Sequence, residues 1–136
     1  MAVHQAAIIG LGAIGAGAHA PNYAKNERVQ VRYLCDLVPE KSKWAKEHFE
    51  LKDAEILTDY TELLGRTDYD VVSVCLPNYL HASVSVDFLN AGKDVLCEKP
   101  ISVSMEKALE MKEAADRNGR ILNIGVVNRF NGYVDE

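Results

Sequence analysis

Cysteine is scarce in this chain, and the three present form no ligand set: Cys35, Cys75 and Cys97 stand far apart, each at or near the end of an apolar run. They read as buried, reduced thiols, which excludes a disulfide scaffold and a cysteine-based metal module. Basic clusters are missing as well. The 15 Lys and Arg are scattered among 20 Asp and Glu, for a net charge of −5, so neither nucleic acid nor an anionic membrane surface is expected as a partner. No apolar run is long enough to span a bilayer, and no basic segment leads into an apolar one at the N-terminus; the expectation is a cytoplasmic protein. Linkers and internal repeats are absent too, and 136 residues with 48% hydrophobic content suit one domain with an ordinary core.

What is present is organised around Ala6-Ala7-Ile8-Ile9-Gly10-Leu11-Gly12-Ala13-Ile14-Gly15. A short apolar run breaks into glycines and continues in helix-forming residues, the pattern of a first strand, a tight turn and a helix start. Gly10 lets the chain turn off the strand, Gly12 admits a diphosphate close to the backbone, and Gly15 lets helix and strand pack without a side chain between them. The free N–H groups and positive dipole end of the helix then make a phosphate site from Gly10 through Leu11, Gly12, Ala13 and Ile14 to Gly15.

A second strand, Val29–Cys35, delivers Asp36 to the same rim, 21 residues beyond Gly15. A carboxylate there accepts hydrogen bonds from both adenosine-ribose hydroxyls and repels a 2′-phosphate, which favours NAD over NADP. Leu37 agrees, since it offers no cation where a 2′-phosphate would want one. The plainer reading of Asp36 is an acid leading into the helix that starts at Pro39.

The rest of the chain alternates. A helix from Ala13 to about Lys25, kinked at Pro21, carries His19 at a partly exposed position; a helix from Pro39 to Phe49 buries Trp44 or uses it as a cover. Glu55–Leu57 is a short edge strand, and Asp59 or Thr61 caps a brief helix before Gly65. The continuous apolar run Asp70–Leu76 reads as a strand covered on both faces. Leu80, Val84, Phe88 and Ala91 mark a helix, Asp94–Cys97 a strand, and Ser104 caps a helix that turns Met105, Ala108, Leu109, Met111 and Ala115 inward and closes at Asn118-Gly119. Ile121–Val127 is the last strand. Six strands alternating with five helices give an α/β fold, a doubly wound parallel (Rossmann) sheet of order 3-2-1-4-5-6, with the ligand at the carboxyl ends of the strands.

The glycine hexad, Asp36, the Pro77-Asn78 pair with His81 after it, and Glu98-Lys99-Pro100 before a serine-capped helix together resemble the glucose–fructose oxidoreductase, inositol dehydrogenase and MocA family of sugar and polyol oxidoreductases. The resemblance implies an NAD-dependent oxidoreductase acting on a sugar, polyol or related hydroxy compound. It places Lys99 beside the nicotinamide and the substrate hydroxyl as the catalytic residue. An ammonium there stabilises the alkoxide that develops as hydride leaves, and partial burial would lower its pKa for proton relay. By the same resemblance Leu76, Pro77 and Asn78 lie under the nicotinamide and its ribose, and His81 lines that part of the cleft. Glu98 contacts the nicotinamide-side ribose or braces Lys99, and Pro100 limits the backbone beside it. Plainer accounts make Asn78 a helix cap and His81 a surface residue.

The family pattern continues into a second α+β domain with an Asp-x-x-x-His pair, and no aspartate here is followed four residues later by histidine. The expected organisation is therefore a nucleotide-binding domain over residues 1–127, with 128–136, including Asn128-Arg129-Phe130, starting the crossover to a substrate domain. The chain alone would be inactive, and the complete enzyme a homo-oligomer. Two other functions fit the same residues: a stand-alone nucleotide-binding or redox-sensing module, and an NAD-assisted glycoside-cleaving relative.

Overall fold

The computed structural model of the chain describes residues 2–127; the segment from Asn128 on, expected to begin the crossover, lies outside them. Six parallel strands form one sheet of order β3-β2-β1-β4-β5-β6. They are β1 (His4–Ile9), β2 (Val29–Cys35), β3 (Glu55–Leu57), β4 (Val71–Val74), β5 (Asp94–Glu98) and β6 (Leu122–Gly125). The α-helices are α1 (Ala20–Ala24), α2 (Pro39–His48), α3 (His81–Asn90) and α4 (Met105–Asn118).

Period-two alternation along the central strands feeds two cores at once. On one face Ala7, Ile9, Val72 and Val74 meet Phe88 and Leu89 of α3 and Met111 and Ala114 of α4. On the other, Ile8, Val31 and Leu34 meet Ala20 of α1 and Ala45 of α2. Sequestering both faces of β1 is what makes its run uniformly apolar.

Several expectations need correction. The helix after the glycines is one piece over residues 13–24, with a π-helical stretch at Gly15–His19 just before Pro21. The wider turn sits where proline brings no N–H to an ordinary helical ladder. The connection between β3 and β4 holds only a 3-10 turn, Tyr60–Leu63, so four α-helices stand among the described residues in place of the expected five; Asp59 caps that turn by accepting the Thr61 N–H at 2.9 Å. Strands β4 and β6 are shorter than their apolar runs, since flanking residues continue as loop.

Helix α4 starts at the Ser104 cap and ends at left-handed Gly119 (φ 60°), but its inward face differs from the expected one. Met111, Ala114 and Ala115 are buried, whereas Met105 (76% exposed) and Leu109 point outward. Small alanines let α4 lie close to its neighbours, and the larger side chains were not needed inside. Of the two readings of Trp44, core or cover, the structure shows the cover: it is 52% exposed and stacks on His48 at 4.5 Å.

Candidate cofactor site

The strand ends lie in one row. Ile9 is level with Cys35 and Val74, Cys35 with Leu57, and Val74 with Cys97. The next residues, Gly10, Asp36, Thr58, Cys75 and Glu98, therefore form one rim, and chemistry dispersed over nearly 90 residues of chain converges there.

At Gly10 the backbone takes φ +93°, and a Cβ would stand 2.5 Å from the Cys75 carbonyl oxygen. At Gly15 a Cβ would stand 1.8 Å from the Gly10 oxygen, so this glycine lets the helix start cross the strand end directly. Gly12 differs: nothing lies within 4 Å of the Cβ it lacks. The protein itself leaves that space open, and the first helical bond, Ala16 N–H to the Gly12 oxygen (2.9 Å), leaves the preceding first-turn N–H groups without intrahelical acceptors. An open approach faced by N–H donors at a helix start suits a diphosphate.

Asp36 is fixed by backbone donors. Its Oδ2 accepts the Leu11 N–H at 2.8 Å and its Oδ1 the Val38 N–H at 2.9 Å. Each oxygen keeps lone-pair capacity for a diol. Beside it opens a cleft of about 630 Å³ lined by Asp36, Leu37, Thr58, Asp59, Leu76 and Leu80 among others. Leu37 is 87% exposed at its mouth. Thr58, Asp59 and Leu80 line the cleft without having been expected there; Asp59 was expected only as a candidate cap of the turn that follows. Burial pushes the Cys35 thiol at the floor up to about 12, with the charges of Asp36 and Asp59 adding to it, so it is a neutral wall atom. Burial, helped by the carboxylate of Asp87 that accepts its O–H at 2.7 Å, does the same to Tyr60.

The far end of the rim is arranged differently from expectation. Pro77, Asn78 and Lys99 are exposed; the burial invoked for the lysine is not present in this chain, and Asn78 makes no helix-capping bond. His81 neither lines an open cleft nor lies on the surface. It is 1% exposed, with Nδ1 2.6 Å from the Pro100 oxygen and Nε2 2.8 Å from the Leu76 oxygen. The cause is its position as the first residue of α3, which aims the ring back between two strand-end loops. Glu98 turns to the other face of the sheet. Its Oε1 is 2.7 Å from His19 Nε2, and its Oε2 accepts the Lys99 N–H at 3.3 Å. His19, expected to be partly exposed, is buried. The Lys99–Pro100 peptide is cis.

Fold and site together define a dinucleotide-binding domain: a doubly wound sheet whose first turn presents helix-start amides beside a carboxylate at the second strand tip. The chain belongs to the Gfo/Idh/MocA oxidoreductase family with an NAD-binding Rossmann fold, whose profile it matches over residues 4–126. It is 35% identical to the inositol 2-dehydrogenase of Salmonella typhimurium over 96% of this chain and 39% of that protein. It is 33% identical to the 2,7-anhydro-N-acetylneuraminate hydratase of Mediterraneibacter gnavus, over 93% of this chain and 32% of that protein. The structure superposes with a TM-score of 0.86 on scyllo-inositol dehydrogenase from Lactobacillus casei with bound NAD(H) and scyllo-inositol, at 29% identity, covering 96% of this chain and 38% of that one. The chain thus spans under two fifths of the length of these relatives. Among the described residues no helix is long and apolar enough to cross a membrane, and no group of three or more His, Cys, Asp or Glu is placed to hold a metal ion.

Proposed function

We propose that this chain is the cofactor-binding part of an NAD-dependent oxidoreductase of polyols or sugars, residues 1–127 being the nucleotide domain and the substrate domain following it. The observation that carries this reading is Asp36, anchored through Leu11 to the glycine turn while its free lone pairs border the cleft. The Gly10 and Leu11 N–H groups are taken by the Cys35 carbonyl (2.8 Å) and by Asp36, so within the Gly10–Gly15 turn the amides from Gly12 to Gly15 would hold the diphosphate, Asp36 the adenosine ribose, and Leu37, Leu76 and Leu80 the apolar walls around the base. Pro77, Asn78 and Lys99 would face the nicotinamide half. Bound in this way, NAD supplies a hydride acceptor for a secondary alcohol.

The protein's part is positioning and charge. The Lys99 ammonium would orient the substrate oxygen and stabilise the negative charge that develops on it, worth several kcal/mol in a site closed by a second domain (about 3–4 for a single well-placed donor). Glu98 and Pro100 would hold the lysine's backbone. Small polar substrates accord with the inositol dehydrogenases to which the chain is similar, and the same reading takes the complete enzyme to be a homo-oligomer. A second reading, a net non-redox reaction on an anhydrosugar or glycoside, is favoured by the similarity to the hydratase.

Both readings are tested in the protein joined to its substrate domain, by following NAD reduction with myo-inositol and other polyols. Lys99→Met is expected to lower kcat by about 10²–10⁴-fold with little change in the KM for NAD. An unchanged kcat would remove Lys99 from the chemistry. Release of product from an anhydrosugar without net NAD reduction would favour the second reading.

A further inference from the structure

His19 is the side chain that none of the cofactor contacts account for. It sits on the helix that begins at the phosphate turn, is buried, and bonds to residues 54 and 79 positions away, Ser73 at 3.1 Å and Glu98 at 2.7 Å. Glu98 accepts only, so Nε2 carries the proton. In the neutral ring Nδ1 then accepts from the Ser73 hydroxyl, whose oxygen in turn accepts from the Tyr23 hydroxyl at 2.6 Å. Every polar atom of the chain Tyr23–Ser73–His19–Glu98 is then satisfied with one proton per bond. Burial raises the Tyr23 pKa and keeps the phenol a donor. The opposite strand leaves room for the carboxylate: a Cβ on Gly125 would lie 3.0 Å from Glu98 Oε1.

This chain ends one residue before Lys99, and Glu98 Oε2 takes the Lys99 N–H. On the other face of the sheet His81 lies against the Pro100 oxygen. Lys99 is flanked by two residues, each facing a buried histidine: His19 lies on the helix that starts at the glycine turn, and His81 opens α3, whose Ser83 and Val84 line the cleft.

We propose that His19 is a positioning residue for Lys99: by holding Glu98 it fixes the Glu98-Lys99-Pro100 loop relative to the helix that starts at the phosphate turn. This rests on the cofactor reading above. The consequence is that the loop at the nicotinamide end is preformed, and that loosening His19 harms the nicotinamide half of the ligand without harming the adenosine diphosphate half.

The test is a pair of calorimetric titrations of the 136-residue chain, with NADH and with ADP. His19→Leu is expected to weaken NADH about fivefold, the factor that follows from one lost hydrogen bond, and to leave ADP unchanged. His19→Gln, whose amide keeps a donor near Glu98, should restore NADH affinity to within about twofold. Equal loss for both ligands, no loss for either, or no rescue by glutamine would overturn the proposal. Should the leucine variant not fold, Ser73→Ala carries the same test, because it removes the acceptor-donor that fixes the ring. It should weaken NADH about twofold with ADP unchanged, and parallel changes would count against the idea. A wild-type chain that takes neither ligand would overturn the cofactor reading as well as this one, whereas unequal results among the variants leave that reading intact.

Discussion

The Leu11 backbone N–H donates to Asp36 Oδ2 at 2.8 Å, tying the glycine turn to the tip of the second strand across 25 residues of chain. One carboxylate thus ties down the glycine turn and borders the cleft proposed for the nucleotide. Asp36→Ala is expected to weaken NADH about tenfold or more, since charge-assisted bonds are lost, and to narrow or erase the preference over NADPH. Parallel titrations with NADH and NADPH measure this. An unchanged ratio would separate Asp36 from cofactor choice.

The three glycines of the turn should divide by function. Gly10→Ala meets the Cys75 carbonyl at 2.5 Å in a left-handed conformation, and Gly15→Ala meets the Gly10 oxygen at 1.8 Å. Each should cost about 1–3 kcal/mol of stability or prevent folding. Gly12→Ala has open space, so its stability should stay within about 0.5 kcal/mol of the parent while NADH affinity drops by about tenfold or more. Thermal melts beside NADH titrations separate the two outcomes.

His81→Leu should destabilise the fold rather than only the ligand. Removing the ring leaves the Leu76 and Pro100 carbonyls without their buried partner, at a cost of about 1–3 kcal/mol. Urea unfolding of the chain reads the loss, and a midpoint equal to the parent's would contradict the brace.

Stability should decline at alkaline pH. Burial lifts the Cys35 thiol from 9.0 to about 12. Above pH 9 the unfolded chain therefore releases a proton that the folded chain retains, and stability falls until the pH passes the folded value. Each such group contributes a slope of about 1.4 kcal/mol per pH unit at most. Tyr60, raised from 10.0 to about 12 by burial and Asp87, adds to the decline above pH 10. Melting the parent and Cys35→Ala between pH 8 and 11 tests it; the variant should show the shallower slope.

Much of this was legible before the fold, for a physical reason. Gly10 and Gly15 are demanded by backbone geometry within one strand-turn-helix unit, and Asp36 stands at the spacing where the next strand returns to the same rim, so spacing alone exposes them. Sheet order follows from alternation and right-handed crossovers. What stayed hidden depends on partners remote in sequence. His19 reads as a surface helix position until Glu98, 79 residues on, is beside it. His81 looks like an open first-turn residue until the Pro100 loop folds over it. In α4 the apolar residues Met105 and Leu109 mimic an inward stripe, yet packing is carried by Met111 and the alanines, because close approach selects small side chains.

The most direct measurement is a crystal structure of the chain soaked with NAD. The account predicts the diphosphate over the Gly12–Gly15 amides, the adenosine ribose on the Asp36 carboxylate, and the nicotinamide toward Lys99. A dinucleotide bound elsewhere, or no density at millimolar NAD with this cleft free of lattice contacts, would contradict it.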